Sequence, residues 1–399
     1  MPKLLLKNLP LAGKKVLMRV DFNVPMDSHQ AITDDTRLRL SLPSIEYILA
    51  QNAALILISH LGRPQGVTPS LSLRPCAKCL SKLLKKEVLF AEDCIGPSVK
   101  KQVEDLPRGA ILLLENLRFH PEEEHPTKDF AFAKELASLA DFYVDDAFGA
   151  SHRAHSSISA ITHYFPKKAA MGLLMEKELS FLQHVFEHPQ RPFYAILGGA
   201  KIGSKLGVLQ SLLSKVDALF IGGGMCYTFA KALGLKIGNS ICDNALLPKA
   251  HDFLDAAHKK NTPYHLPLDH VAAQHLENTQ KTRVFSSKEG IPLGWIGMDI
   301  GPATIDYWSQ ELQKASTIFW NGPLGVFEFS HFSKGTSAIA STLSTLKKAT
   351  TIVGGGDSLA AIHSLGLENQ FTHLSSGGGA SLELIEYGHL PGIDALSEV

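Results

Sequence analysis

Four glycine-rich segments in the second half of the sequence have the residue types of a phosphate site. They are Gly198-Gly199-Ala200-Lys201, Gly222-Gly223-Gly224, Gly354-Gly355-Gly356-Asp357-Ser358 and Ser375-Ser376-Gly377-Gly378-Gly379-Ala380. Glycine lets phosphate oxygens approach backbone N–H groups, and the N-terminus of a following helix favours an anion. A tight packing turn also uses glycine, so each segment alone has two interpretations. Together the segments favour a nucleotide-phosphate cradle.

Three charged residues accompany these glycines. Lys201 and Lys205 are four residues apart, and we expect them on one face of a helix that begins just after the double glycine. The segment does not have the G-x-x-x-x-G-K-[ST] pattern of a Walker A loop. Asp357 closes its loop, where a carboxylate could either cap a helix or hold Mg²⁺ beside phosphates.

Arginine is concentrated in the first half of the chain. Eight of the ten arginines lie between Arg19 and Arg153. A guanidinium binds carboxylate and phosphate bidentately, so this half could hold a small polyanion. Any one arginine could instead form a surface ion pair, which contributes about 0–1 kcal/mol. Taken as a group, the candidates favour anion binding; they are Asp21, Phe22, Asn23, Arg37, His60, Arg63, Arg118 and Arg153.

Cysteine and histidine give weaker signals for a metal. Cys76 and Cys79 form a C-x-x-C pattern, but they also fall with Leu80 on one apolar face of a helix for which Ser72 reads as the cap. Because no second ligand pair follows, core cysteines are the favoured interpretation. The histidines at 60, 152 and 155 also lack a matching ligand set, so the sequence does not favour zinc.

Short aliphatic runs alternate with amphipathic stretches along the whole chain. The runs are Val16–Val20, Leu55–Ser59, Ile111–Leu114, Phe142–Val144, Tyr194–Leu197, Ala218–Ile221, Thr317–Trp320 and Thr351–Val353. This alternation is typical of α/β folds with buried, mostly parallel sheets. Charged segments follow the first four runs and glycine-rich segments or Asn321-Gly322-Pro323 follow the last four. Ligands bind at the carboxyl ends of such strands, so we expect two domains with different tasks.

The composition excludes several other classes of protein. The 399 residues are 45% hydrophobic and 20% charged, which excludes intrinsic disorder. Lys plus Arg and Asp plus Glu both number 39, so nucleic acid and anionic membranes are not expected partners. Ala53–Ile58 is the longest apolar run, far below the roughly 20 residues of a membrane span. With no secretory segment recognised, we expect a cytoplasmic protein.

The motifs resemble those of phosphoglycerate kinases and occur in the same order. The first half contains Val20-Asp21-Phe22-Asn23-Val24-Pro25, Thr33-Asp34-Asp35-Thr36-Arg37, Ser59-His60-Leu61-Gly62-Arg63-Pro64, Leu114-Glu115-Asn116-Leu117-Arg118-Phe119 and Asp146-Ala147-Phe148-Gly149 followed by His152-Arg153-Ala154-His155. The second half contains Gly198-Gly199-Ala200-Lys201, Asp299-Ile300-Gly301-Pro302, Trp320-Asn321-Gly322-Pro323 through Glu328, and the loops at Gly354 and Ser375. The resemblance extends from about residue 16 to 383.

This resemblance implies reversible phosphoryl transfer between ATP and 3-phosphoglycerate, which gives ADP and 1,3-bisphosphoglycerate, with ATP formed in glycolysis. It implies substrate contacts from Asp21, Phe22, Asn23, Arg37, His60, Leu61, Gly62, Arg63, Arg118 and Arg153. It implies catalytic roles for Arg37, Lys201, Lys205, Gly354 and Gly377. It assigns the nucleotide to Gly199, Ala200, Lys205, Gly223, Gly297, Asn321, Pro323, Glu328, Gly355, Gly356, Asp357 and Ser358, with Mg²⁺ on Asp357.

The expected architecture is two doubly wound, mostly parallel, Rossmann-like domains joined by a helical hinge. Residues 1–168 would bind 3-phosphoglycerate, with residues 386–399 packing back onto them, and residues 169–385 would bind the nucleotide. The resemblance also implies a monomer. His270, Met298 and Ala303 depart from the usual pattern of the family, which leaves nucleotide affinity and local packing open.

Two other classes of function are weighed against the kinase. A non-catalytic module of the same fold could bind a nucleotide or an anion, although all the charged motif residues are present. An NAD-dependent dehydrogenase would need a G-x-G-x-x-G segment opening its first helix and an acidic residue about 20 positions later, which the sequence lacks.

Overall fold

The computed structural model of the chain describes residues 2–278 and 281–399. The chain divides into two compact units. Unit 1 contains residues up to Phe181 together with His389–Val399, and unit 2 contains Leu182–Gly388.

The strands and helices are numbered in chain order. The strands are β1 Lys15–Arg19, β2 Ala54–Ile58, β3 Leu89–Phe90, β4 Ile111–Leu113, β5 Phe142–Asp145, β6 Ala169–Met171, β7 Phe193–Leu197, β8 Ala218–Ile221, β9 Tyr264–His265, β10 Asp269–Ala273, β11 Arg283–Ser286, β12 Ile296–Ile300, β13 Thr317–Asn321, β14 Thr350–Gly354 and β15 His373–Ser375. The α-helices are α1 Thr36–Ala50, α2 Arg74–Leu84, α3 Pro97–Glu104, α4 Ala131–Ala137, α5 Leu173–Glu187, α6 Leu206–Leu212, α7 Cys226–Ala232, α8 Leu247–Lys259, α9 Pro302–Leu312, α10 Lys334–Ser344, α11 Gly356–Ser364, α12 Gly378–Tyr387 and α13 Pro391–Asp394. Short 3₁₀ helices cover Leu6–Asn8, Pro69–Leu71, Leu117–Phe119, Pro121–Glu123, Phe148–Ala150, Ala160–Tyr164, Asn244–Leu246, Ser330–Phe332 and Glu368–Gln370.

Each unit is built on a parallel sheet, as the sequence predicts. In unit 1 the strand order is β3-β4-β2-β1-β5-β6, and in unit 2 it is β15-β14-β13-β7-β8-β9. Every residue of β2 and of β13 is buried, because helices cover both faces of such sheets. All eight predicted runs coincide with strands of these two sheets. Unit 2 also contains a small antiparallel sheet in the order β11-β10-β12.

Apolar side chains fill a core in each unit. In unit 1 the core includes Val16, Met18 and Leu55 from the central strands. In unit 2 the core is built around Trp308, Trp320 and Phe220. Cys76 lies in the first core, as predicted, and Cys79 packs against it half-buried. The cap of α2 is one residue later than predicted: Leu73 is the N-cap, while Ser72 Oγ accepts from the Arg74 N–H at 3.2 Å.

The division between the units falls within α5, between Phe181 and Leu182, whereas the sequence predicted it after Lys168. Strand β6 pairs with β5, which places residues 169–171 in unit 1. The chain's last residues return to the same unit, where the Ser397 N–H donates to the Ala169 carbonyl at 3.0 Å. Among the described helices, none has the length and apolar character needed to cross a membrane.

Candidate active site

The carboxyl ends of β1, β2, β4 and β5 lie side by side in unit 1 and carry the charged segments that the sequence singled out. Side-chain hydrogen bonds join the loops that follow β1 and β2. Ser59 Oγ accepts from the Phe22 N–H at 2.8 Å, and Asn23 Oδ1 accepts from the Gly62 N–H at 2.9 Å. These hydrogen bonds therefore hold the two loops, and the side chains they carry, in fixed positions at the sheet edge.

Asp21 and Arg37 form an ion pair at this edge. Arg37 lies in the first turn of α1 and donates through Nη1 to Asp21 Oδ2. Burial acts to raise the pKa of Asp21, but the charge of Arg37, with contributions from Arg19 and the Asn23 N–H, holds it below the ordinary value. Asp21 is therefore an anion that orients Arg37, and the Arg37 side chain remains about one-third exposed.

His60 is a neutral hydrogen-bond donor at the same edge. Its Nδ1 is 3.0 Å from Nη2 of Arg19, and a guanidinium can only donate, so Nδ1 must accept. Burial and the positive charge of Arg19 lower the pKa of His60 well below its ordinary value. The ring proton is consequently on Nε2, which has no hydrogen-bond partner among the described residues and remains available to a ligand.

A buried ionic network, which the sequence interpretation missed, supports these groups. Arg19 is 1% exposed and donates to Ser157 Oγ at 2.9 Å and to the Val20 carbonyl. Fully buried Glu123 accepts from the Ser157 hydroxyl at 2.6 Å and from the Ser157 N–H at 2.9 Å. Burial raises the pKa of Glu123, while Arg19 acts to lower it. An arginine within the otherwise apolar run Val16–Val20 is the local signal that could have indicated this network.

The remaining arginines differ in how tightly they are held. Arg118 donates through Nη1 to the Gly62 carbonyl at 2.7 Å and pairs through Nη2 with Glu124 at 2.9 Å. Arg153 is exposed and donates through Nε to His152 Nε2 at 2.9 Å, while Arg63 is also exposed. Burial, followed by the charges of Arg118, Arg19 and Arg153, lowers the pKa of His155 to about 3. These cations therefore act on the same region of unit 1.

Two predicted substrate residues have side chains that point away from solvent. Phe22 and Leu61 belong to the apolar core of unit 1. Only their backbone is placed at the sheet edge, so they position the neighbouring Asn23, His60 and Gly62.

In unit 2, several predicted glycines bring loop backbones into direct contact. The Gly198 N–H donates to the Asn321 carbonyl at 3.0 Å, and the Gly199 N–H donates to the Pro323 carbonyl at 2.7 Å. A Cβ atom on Gly198 would collide with the Pro323 carbonyl oxygen, and one on Gly223 would collide with the Gly199 nitrogen. Close packing of loops therefore accounts for these glycines, and it shapes the surface that they present.

The predicted helical face carrying Lys201 and Lys205 is wrong. Helix α6 begins at Leu206, and Lys205 is its N-cap residue, so both lysines precede the helix. Lys205 Nζ donates to the Gly198 carbonyl at 2.6 Å and to the backbone and side-chain oxygens of Asn321, each at 3.0 Å. Burial lowers the pKa of Lys205 to about 8, against the opposing effect of Asp357. Lys201 is exposed.

The loops at Gly354 and Gly377 lead into helix N-termini, as predicted. Gly355 is the N-cap of α11, with φ of 96°, and Asp357 lies exposed in the first turn. Gly377 is the N-cap of α12. A Cβ atom on Gly356 would meet nothing within 4 Å, so this backbone is open to a ligand. The Ser358 hydroxyl is instead buried and accepts from the Gly322 N–H at 2.7 Å.

A cavity of about 450 Å³ lies beside these loops in unit 2. Its walls include the predicted residues Gly199, Ala200, Gly223, Gly297, Pro323, Glu328 and Asp357. They also include residues that carry no functional signal in the sequence, namely Tyr227, Asn239, Ile241, Leu276, Ile296 and Val326. These are mostly apolar and their spacing does not distinguish them from core residues. The predicted residues Lys205, Asn321, Gly355, Gly356 and Ser358 are absent from the described lining of this cavity.

The atypical residues Met298 and Ala303 have separate positions. Met298 lines the cavity. Ala303 lies in the first turn of α9 and donates its N–H to Asp269 Oδ2 at 3.0 Å, so it belongs to a capping arrangement.

Unit 1 is thus a parallel α/β unit with guanidinium groups at its sheet edge, and unit 2 is a second one with glycine turns and helix N-termini beside a cavity. The sequence model of the family described as phosphoglycerate kinase matches residues 6–388. The phosphoglycerate kinase of Koribacter versatilis is 51% identical, with all of both chains covered. The cytosolic phosphoglycerate kinase of Triticum aestivum is 50% identical over 97% of this chain and 96% of its own. The solved structure of phosphoglycerate kinase from Coxiella burnetii superposes with a TM-score of 0.83 at 38% identity and covers 99% of this chain and 98% of its own.

The chain belongs to the phosphoglycerate kinase family. It is an enzyme of the phosphotransferase class, and its substrates are those that the family name implies, a nucleotide and a phosphoglycerate.

Proposed function

We propose that the enzyme transfers a phosphoryl group reversibly between ATP and the carboxylate of 3-phosphoglycerate, forming 1,3-bisphosphoglycerate and ADP, with ATP formed in the glycolytic direction. The observation that carries this proposal is the guanidinium and imidazole cluster at one sheet edge of unit 1. Arg37 is oriented by Asp21, and His60 is held as a neutral donor by Arg19. Such a cluster matches a ligand that carries both a carboxylate and a phosphate.

In this proposal, unit 1 binds the phosphoglycerate. Arg63, Arg118 and Arg153 supply positive charge, and His60 Nε2 donates a hydrogen bond. Asn23 and Gly62 fix the loop geometry through their own hydrogen bond at 2.9 Å. Arg37 contacts both the substrate and the transferring phosphoryl group, because its guanidinium retains donors beyond the one that Asp21 binds.

Unit 2 binds the nucleotide. The cavity would hold the base and the ribose, with Glu328 on the ribose, and the N-termini of α11 and α12 would face the phosphates. Lys201 is exposed and available to the phosphates, whereas Lys205 first has to release backbone and side-chain oxygens that it now binds. Its low pKa reflects that burial.

Asp357 is suited to hold Mg²⁺ together with the nucleotide. Its carboxylate is exposed in the first turn of α11, lines the cavity, and has no hydrogen-bond partner among the described residues. Carboxylate oxygens are the protein ligands that Mg²⁺ prefers beside phosphates. When bound, the ion supplies positive charge that neutralises the phosphate oxygens.

The reaction needs no general base. The acceptor is a carboxylate, which is ionised at neutral pH because its ordinary pKa is about 4. The barrier is electrostatic, since an anionic oxygen must approach an anionic phosphoryl group. Arg37, Lys201 and the helix N-termini lower it by stabilising negative charge away from bulk water.

The two ligands are held by different units in this proposal, so transfer requires the units to bring them together when both are bound. We further propose that the enzyme acts as a monomer in the cytoplasm, in keeping with the wheat relative, which is named as cytosolic.

A coupled assay with ATP, Mg²⁺ and 3-phosphoglycerate tests the function. We expect turnover that requires all three components. The matched control replaces 3-phosphoglycerate with glycerate, which has the acceptor carboxylate but not the phosphate. Turnover that is equal with both acceptors would contradict the role of the arginine cluster, and no turnover with 3-phosphoglycerate would contradict the proposed reaction.

A further inference from the structure

A buried chain of polar side chains extends from the wall of the unit 2 cavity. Tyr227, in α7, lines the cavity. Its hydroxyl is 3.3 Å from Nδ1 of His270 in β10, and Nε2 of His270 is 3.1 Å from the Ser287 hydroxyl.

A backbone carbonyl sets the direction of the hydrogen bonds. Ser287 Oγ is 2.6 Å from the Pro267 carbonyl, which can only accept, so the single hydroxyl proton of Ser287 is donated there. Ser287 must then accept from Nε2–H of His270. Burial lowers the pKa of His270 to about 4, with Asp269 opposing the shift. The ring is therefore neutral, and Nδ1 carries a lone pair.

Tyr227 consequently donates its proton to His270. Burial raises the pKa of Tyr227 well above its ordinary value, so the phenol keeps its proton. That proton is directed to Nδ1, and no described residue donates a hydrogen bond to the lone pairs of the oxygen. A Cβ atom on Gly297 would collide with this hydroxyl. The Tyr227 oxygen thus lies against the Gly297 backbone, which is itself part of the cavity wall.

We infer that the Tyr227 oxygen acts as a hydrogen-bond acceptor in the nucleotide cavity and favours a base that presents an amine over one that presents a carbonyl. This inference rests on the proposed function of the cavity. An amine donates to the free lone pair, whereas a carbonyl would place two acceptors against each other at a buried hydroxyl. His270 is a positioning residue, because it acts by fixing the proton of Tyr227.

The test compares ATP with inosine triphosphate, in which a carbonyl replaces the adenine amine. We expect the wild-type enzyme to have the lower KM for ATP. Tyr227→Phe should reduce the ATP preference by about 2- to 10-fold, the effect of one neutral hydrogen bond, through KM. His270→Leu should reduce the preference in the same direction, because the tyrosine proton is then free to turn toward the base.

A second tyrosine–histidine pair in unit 2 provides the matched control. The Tyr307 hydroxyl is 3.0 Å from Nδ1 of His265, and neither residue is in the described lining of the cavity. Tyr307→Phe should therefore leave the ratio of the two KM values unchanged. Thermal unfolding of all variants establishes that they are folded.

The outcomes separate the inference from the proposed function. A folded Tyr227→Phe enzyme with the wild-type ratio would overturn the role of the hydroxyl, as would a wild-type preference for the inosine nucleotide. Failure of the wild-type enzyme to use ATP with 3-phosphoglycerate would instead contradict the proposed function itself.

Discussion

The two parallel sheets present their carboxyl ends to ligands in different ways. In unit 1 the edge is built from charged side chains, and acidic or amide groups such as Asp21 and Asn23 hold them in place. In unit 2 the edge is built from backbone, with loops in contact at Gly198 and Gly223. Its most buried cation, Lys205, binds carbonyl oxygens of those same loops.

This difference predicts how each edge responds to substitution. A charged side chain can be removed from unit 1 with little change in the shape of the loops, so function should fall with stability largely kept. In unit 2 the shape of the backbone is the binding surface. A substitution there should lower both the stability of the protein and its nucleotide affinity. The exception is a glycine that faces the ligand without packing against another loop.

The largest effect is expected from Arg37→Ala. Removing a donor aimed at developing negative charge lowers turnover by about 100-fold, whereas the nucleotide KM should change little, because Arg37 belongs to unit 1. Steady-state kinetics at saturating concentrations of both substrates measure the effect. Arg39→Ala is the control, since Arg39 is exposed on the same helix as Arg37 and pairs with the N-cap residue Asp35 at 2.7 Å. Wild-type turnover in Arg37→Ala would remove this residue from the chemistry.

In unit 2, Gly198→Ala should mainly reduce stability. The new methyl group would collide with the Pro323 carbonyl, and overpacking of this kind costs about 1–3 kcal/mol. Denaturant titration measures the loss. Gly356→Ala makes the comparison sharper, because its methyl group meets nothing within 4 Å; we expect a raised nucleotide KM at unchanged stability. Equal loss of stability in the two variants would break the distinction between packing and ligand-facing glycines.

Asp357→Asn should produce a smaller functional loss that is confined to unit 2. Replacing the carboxylate with a neutral amide weakens the Mg²⁺ contact and should raise the KM for Mg-ATP about 10-fold, in line with the loss of one charge-assisted interaction. Binding of 3-phosphoglycerate, followed by calorimetry, should stay near normal. Asp252→Asn removes an exposed carboxylate on α8 and serves as the control. Parallel loss of both ligands would indicate that the variant is damaged as a whole.

The sheets were largely predictable because their strands are buried on both faces and read as continuous apolar runs. The predicted runs do not include the short strands β3, β6, β9 and β15 of these sheets, which have only two or three residues each. Their pairing is set by neighbouring strands, which no local pattern records. The candidate arginines could be predicted because charged residues directly after an apolar run are unusual. The contacts of Arg19 could not be predicted, because its partners Ser157 and His60 are distant in sequence.

The nucleotide side was less predictable for a physical reason. The expectation for Lys201 and Lys205 assumed that a helix starts at once after the double glycine, whereas the turn uses every residue up to Lys205. Apolar cavity residues such as Ile241 and Ile296 have the same residue types as a core. They differ from core residues in that they line a cavity, and the cavity forms only when the chain folds.

The smallest effect on activity is expected from Asp145→Asn, which should instead change the pH dependence of stability at the unit 1 edge. Asp145 Oδ1 accepts from the Ala147 N–H at 3.0 Å, but the buried Oδ2 has no hydrogen-bond partner in the described chain. Burial raises the pKa of Asp145 to about 7, against that hydrogen bond and Arg19. The folded state therefore binds the proton more tightly than the unfolded state, whose pKa is about 3.9. This contribution to stability is fully present below that unfolded value and is lost as the pH rises through about 7.

Asparagine carries no ionisable proton, so the free energy of unfolding of Asp145→Asn should fall less than that of the wild type between about pH 5 and 8. Asp299 in unit 2 supplies the comparison. Burial also raises its pKa to about 7, but both oxygens accept backbone N–H groups, from Ile300 at 2.9 Å and Gly335 at 2.8 Å. Asp299→Asn would set an amide donor against one of those N–H groups, so it should destabilise the protein at every pH. If the free energies of unfolding of Asp145→Asn and of the wild type changed equally with pH, the Asp145 carboxyl would not be the titrating group.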